Sequence, residues 1–188
     1  MKRALWISLI LFSAVISSWG QAGSNATATY RNAKCGFSFS YPAIYTLKSA
    51  PDAESKADDP LCGLRFLFLQ DGKIKHAISL HWEKRSFDEA ADLIGLEKSA
   101  NGWVPSSEFL TQGKAHEISG PGWKGLSYEF AARCYGGPSG GYEGMGDAVL
   151  GFANAGDRTL IIDGGQCERS DFDAYEWIVQ SLQFLPQP

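Results

Sequence analysis

Between Gly36 and Pro42 the chain alternates aromatic and serine residues (GFSFSYP), the period of a strand with one buried face, and Pro42 ends it. A short strand near Tyr45–Lys48 follows, and residues 50–60 (APDAESKADDP) then read as an acidic loop bounded by prolines. Leu64–Gln70 (LRFLFLQ) is apolar on both faces, which places it inside a sheet. Asp71-Gly72 is a hairpin dipeptide. Beyond it His76–Glu83 alternates again, with Ile78, Leu80 and Trp82 on one face and Ser79, His81 and Glu83 on the other.

The period then changes. In SFDEAADLIGLEKS, Ser86 and Glu89 form an S-x-x-E capping box, and Phe87, Ala90, Leu93, Ile94 and Leu96 or Glu97 mark one helical stripe. Residues 104–119 hold two short strand candidates around Gln112-Gly113. Leu126 to Cys134 alternates as a one-sided strand, and Ala148–Ala153 with Arg158–Gly164 makes a further hairpin across Ala155-Gly156-Asp157. A last helix begins at Ser170, with Asp171 and Asp173 near its positive end and Phe172, Tyr175, Ile178, Val179, Leu182 and Leu185 at helical spacing. The elements sum to an α+β fold, an antiparallel β-sheet of about six to seven strands flanked by helices.

Destination is written at the front of the chain. Lys2 and Arg3 precede an uncharged apolar run, Ala4 to Ile16, and residues 17–22 (SSWGQA) end in small side chains. This is the grammar of a secretory signal peptide, and the run is too short to span a bilayer. The chain therefore divides into a signal peptide over 1–22, a flexible lead-in over 23–33 and a single globular domain over 34–188. The expected destination is secreted or periplasmic, with no stable membrane insertion after cleavage. A domain of this length buries about 70% of its unfolded surface and has a core without needing covalent help. The 17 Lys and Arg are scattered and the net charge is −4, so a nucleic-acid surface is not expected.

In an exported chain, Cys35, Cys62, Cys134 and Cys167 read as two disulfides rather than thiols or a zinc site, since no CxxC or CxxH is present. Four cysteines allow three connectivities. The sequential one, Cys35–Cys62 and Cys134–Cys167, is favoured because each pair brackets consecutive elements.

Catalytic patterns fare less well. Gly137 to Gly141 (GPSGG) matches G-x-S-x-G around Ser139, yet His76, His81 and His116 all precede it and no helix follows directly. His76 and His81 are five apart on a strand and face opposite sides, which denies them a shared metal. No cofactor fingerprint is present: Gly144-Met145-Gly146 lacks a third glycine and opens a strand. Trp82, Trp103, Trp123 and Trp177 read mostly as core. Trp103 and Trp123 flank Gly/Pro turns, where partial exposure with sugar or peptide stacking is the alternative and core or rim packing the favoured reading.

Two segments resemble a known family. YRNAKCGFSFSYP is similar to the first strand of PsbP-like domains, and AYEWIVQSLQFLP to their C-terminal helix, with a matching element order between. The resemblance implies an antiparallel sheet flanked by helices and a domain that binds partners rather than turning over substrate; no functional residue carries over. The expectation is thus a non-catalytic binding or accessory domain of the envelope or extracellular space, with a protein partner. A secreted hydrolase using Ser139 or dispersed carboxylates and a carrier with an apolar pocket are the alternatives. The glycine-rich segment Tyr135 to Gly146, too long for a hairpin turn, is the expected contact loop through Tyr135, Tyr142 and Met145.

Overall fold

The alternating runs become strands, and over Leu64–Gln70 and Lys73–Glu83 the buried positions fall on one parity. A computed structural model of the chain describes residues 26–51, 62–93, 96–100, 102–105, 113–135, 143–166 and 171–186. Its centre is a seven-stranded antiparallel sheet. One edge is β3 (Thr46–Pro51), followed by β4 (Leu64–Gln70) and β5 (Lys73–Glu83). Then come β11 (Thr159–Gln166), β10 (Glu143–Asn154), β9 (Trp123–Tyr135) and the other edge, β8 (Gly113–Gly120). Asp71 and Gly72 turn between β4 and β5 with positive φ, 53° and 74°, as a two-residue hairpin demands.

The first face of this sheet carries the larger core. Phe66 and Phe68 of β4, Leu80 of β5, and Leu160 and Ile162 of β11 are fully buried there. They are covered by a three-stranded sheet and by α2 (Phe172–Ser181). In the small sheet β1 (Thr27–Asn32) and β12 (Gln183–Phe184) both pair with β2 (Phe37–Pro42). The Tyr175 hydroxyl of α2 donates to Ser127 Oγ at 2.8 Å inside this core. It fits because Gly151 has no side chain; a Cβ there would stand 2.7 Å from the phenol oxygen. Burial pushes the Tyr175 pKa up to about 12, despite the hydrogen bond with Ser127, which lowers it.

On the second face a smaller cluster forms over β8, β9 and β10, where Leu126, Tyr128 and Phe152 meet Ala90, Ala91 and Leu96. The last three come from α1 (Phe87–Leu93) and a separate hairpin of β6 (Leu96–Ser99) with β7 (Gly102–Pro105). The capping box forms as expected: Ser86 N and Oγ both donate to Glu89 Oε2 at 2.8 Å, and Glu89 N donates to Ser86 Oγ at 3.4 Å.

Three expectations need correction. Part of the lead-in is strand β1, held by the full length of β2 and by Tyr30, whose ring stacks 5.2 Å from Phe39. The helix after Ser86 ends at Leu93 rather than running through Leu96. Gly95 weakens any helix by about 1 kcal/mol, and Leu96 reaches the core from a strand instead. Trp123 is in the core as favoured, with its Nε1 donating to the Leu182 carbonyl at 2.9 Å. Finally, the ends of the segment expected to be irregular over Tyr135 to Gly146 are strand, since Tyr135 pairs with Glu143 and Met145 with Arg133 in the β9–β10 ladder, while residues 136–142 lie outside the described residues.

Candidate functional site

The register along edge strand β8 builds a groove on the second face. Ala115, Glu117 and Ser119 of β8 pair with Tyr128, Leu126 and Lys124 of β9, so these side chains share one side of the sheet. Against them stand α1 and the β6–β7 hairpin, which present Phe87 and Trp103 with ring centroids 5.4 Å apart, edge to face. Trp103 is half-buried and borders two clefts. The larger, about 560 Å³, is lined by Phe87, Asp88, Lys98, Glu117, Lys124 and Asn154 among others. The smaller, about 240 Å³, lies over Ala115, Glu117 and Leu126. A third, lined by Ser119, Lys124, Asn154 and the turn glycines Gly122 and Gly156, continues the first. Shared residues join the three into one channel along β8.

The chemistry of that channel is balanced. Asp88 and Glu117 accept hydrogen bonds, Lys98 and Lys124 donate, and Asn154 and Ser119 do both. Two cations offset two carboxylates. The Lys98 ammonium stands 5.8 Å over the Trp103 ring, on a flexible stem that can swing toward a bound molecule. Close by, the buried Tyr128 hydroxyl has no hydrogen-bond partner among the described residues, and desolvation raises its pKa.

At the opposite edge a hydroxyl, an imidazole and a carboxylate lie in line. Asp171 Oδ1 is 2.9 Å from His76 Nδ1, and His76 Nε2 is 3.1 Å from the Tyr45 hydroxyl. The order resembles a catalytic relay, but its groups are spent on structure. Asp171 caps α2, accepting from Ala174 N at 3.1 Å, and also accepts from Ala77 N at 3.0 Å. Both imidazole nitrogens are engaged, and the ring is packed edge-on against Tyr45, Phe68 and Trp177. None of the clefts along β8 is lined by these residues. The arrangement locks the helix start to β5 and to the β2–β3 turn.

Of the residues singled out from sequence, Cys35 and Cys62 are both buried in the first-face core cluster. Cys62 Sγ lies 4.0 Å from the carbonyl oxygen of Lys34, the residue before Cys35. Cys134 belongs to β9, whereas Cys167, Ser139 and Tyr142 lie outside the described residues. His76 faces α2 and His81 pairs with Ile161 on the other face, so the two histidines do diverge. Sequence reasoning noticed Trp103 but missed its frame, because Phe87, Lys98, Glu117 and Lys124 are brought together by strand order and not by spacing. The proximity of Asp171 to His76, 95 positions apart, carried no sequence signal at all.

No family model matches this sequence, and no curated protein matches it. Among solved structures the chain is similar to cyanobacterial PsbP (CyanoP) from Synechocystis sp. PCC 6803, known from a solution structure, at 13% identity and a TM-score of 0.47 over 90% of this chain and 98% of that one. That protein bears the name of the family whose first strand and last helix the two ends of this chain resemble, and the likeness is one of fold alone.

Proposed function

We propose that the chain is an exported, non-catalytic binding domain and that its ligand lies in the β8 groove. The observation that carries this reading is the half-buried Trp103 ring between two connected clefts whose lining charges cancel. A net-neutral lining offers no gain to a polyanion or a polycation over water. An aromatic ring beside paired donors and acceptors suits a molecule with an apolar face and many hydroxyls, as a short neutral saccharide has. The open, continuous channel favours an extended ligand over an enclosed one. Against a carrier role, the space between the sheet and α2 is filled by Phe37, Phe39, Phe66, Ile162 and Ile178. Against a relay hydrolase, the histidine of the Tyr45 chain has no nitrogen to spare. Export rests on the signal-like residues 1–22.

The test is calorimetric titration of the secreted protein with neutral linear oligosaccharides of several lengths. Binding should lengthen with the sugar chain up to the span of the groove, and Trp103→Ala should weaken it about tenfold or more, in line with the loss of an aromatic stacking surface. Undiminished binding by Trp103→Ala, or none by the native protein, would remove the groove as the site.

A further inference from the structure

Among the described residues, the second face of the main sheet is covered over β8, β9 and β10, with Ile161 of β11 at the margin of the cover. Toward β3 the register lays out a different surface. Thr46, Leu69 and Ile74 form one row across three strands, and Lys48, Leu67 and Ala77 the next. Arg65 follows, opposite Ala50 and Ser79. Parity places these side chains away from Phe66 and Phe68, hence on the second face. Leu67, Leu69 and Ile74 join neither core cluster.

Among the described residues the large apolar side chains that stand exposed are Ile44, at 57%, and Ile74, at 59%. Both sit at this corner. Ile44 is in the β2–β3 turn, two residues before Thr46, and Ile74 is in the hairpin that Asp71 and Gly72 close. The corner is stiff, because the neighbouring Tyr45 is tied to His76 and through it to α2.

Charge gives the apolar patch its chemistry. Lys48 and Arg65 stand on the same face as these rows and Lys73 and Lys75 flank Ile74 at the hairpin tip; all four are exposed, and none forms an ion pair among the described residues. Asp71 at the hairpin turn is a carboxylate on the rim, and Asp163 lies two strands from Arg65 in its row. A chain of net charge −4 thus gathers unpaired cations around exposed isoleucines at one corner.

We propose that this corner docks on an anionic lipid bilayer. A bilayer offers phosphates in a layer above hydrocarbon, which matches long flexible amines ringing short apolar side chains on a hairpin tip. The acidic remainder of the molecule turns the same corner toward a negative surface, since repulsion elsewhere leaves one favourable orientation. Docking of this kind is peripheral: the isoleucines enter the interface and the backbone stays outside it. The reading is independent of the groove, whose residues lie on the other half of the face.

The experiment is co-sedimentation of the secreted protein with mixed phosphatidylglycerol–phosphatidylcholine vesicles and with pure phosphatidylcholine vesicles at low and high salt. Binding should favour the anionic vesicles, weaken with salt, and drop by more than about tenfold in Lys73→Glu/Lys75→Glu, since each basic residue near such a surface contributes about 1 kcal/mol. Ile74→Ser should lower binding several-fold at any salt, and Trp103→Ala should leave it unchanged. All four positions are on exposed or half-buried sites, and melting curves confirm that each variant is folded. Absence of preference for phosphatidylglycerol, or equal binding by the native protein and both corner variants, overturns the proposal. So does a dimer in analytical ultracentrifugation that Ile74→Ser dissolves, which would make a second copy the occupant.

Discussion

The two halves of the second sheet face are made from the same alternating strands and end differently. Over β8 to β10 the residues pointing outward are Leu126, Tyr128 and Phe152, and α1 with the β6–β7 hairpin has closed over them. Over β3 to β5 the matching positions hold Leu67, Leu69 and Ala77 interspersed with Lys48, Arg65 and Thr46. Aromatic side chains bury 150–250 Å² each, enough to hold a cover in place. Medium aliphatics diluted by charge do not return the ordering entropy of another layer. One half is core, the other surface.

Mutation should separate the halves most sharply at their centres. Phe152→Ala, fully buried in the covered half, should cost about 3–5 kcal/mol, whereas Leu67→Ala in the open half should cost about 1 kcal/mol or less. Urea denaturation of the two variants measures both. Equal losses would mean that the β3–β5 half is covered as firmly as the other.

The first face supplies a control, because Tyr175 anchors its helical cover through pH. The phenol titrates near 10 in the unfolded chain and at about 12 when folded. Its contribution is whole below pH 10 and is lost as pH rises toward 12, since the unfolded state releases the proton first. The loss amounts to roughly 2–3 kcal/mol for a shift of this size. Tyr175→Phe should be less stable at neutral pH, lacking the bond to Ser127, and should show a flatter decline in alkali. A parallel decline in both proteins would assign the alkaline loss to other groups.

The smallest effect expected is at the rim of the cover. Ser86→Ala should cost about 1 kcal/mol by removing the cap of α1. Hydrogen exchange should quicken in α1 and β6–β7 while β3–β5 stay unchanged. Acid should imitate it. The two hydrogen bonds from Ser86 hold the Glu89 carboxyl below its ordinary value, so the cap persists into moderately acid solution and is lost as pH falls through that lowered value.

How far the sequence reaches follows from the range of each interaction. β4, its hairpin turn and the capping box were legible because period, dipeptide and four-residue motif are local. β1 was not: TATYRN is small and polar, and only the pairing with β2 and the stacking of Tyr30 make it a strand. Leu96, one of two residues that could close the helical stripe, reaches the core from a strand instead, since a buried leucine looks the same at the end of a helix stripe and the start of a strand. The groove was nearly invisible. Trp103 stood out as an aromatic beside a turn, yet its partners arrive from β8, β9 and α1, and strand order cannot be read from spacing. The open corner was hidden for the opposite reason, since LRFLFLQ reads as buried on both faces until the register shows what covers each.

The small sheet ties the beginning of the domain to its end. β12 pairs with Phe37 and Ser38, Leu185 N donates to the Gly36 carbonyl at 2.8 Å, and Ser40 N donates to Ser181 Oγ at 2.8 Å, 141 positions away. Trp123, too, finds its acceptor only at Leu182. A polypeptide emerging from the ribosome therefore makes its sheet strands long before the residues that close the core exist. Contacts of such sequence separation slow folding, because the loop must close before any of them forms. The core therefore cannot close completely until α2 and the strand after it have been made.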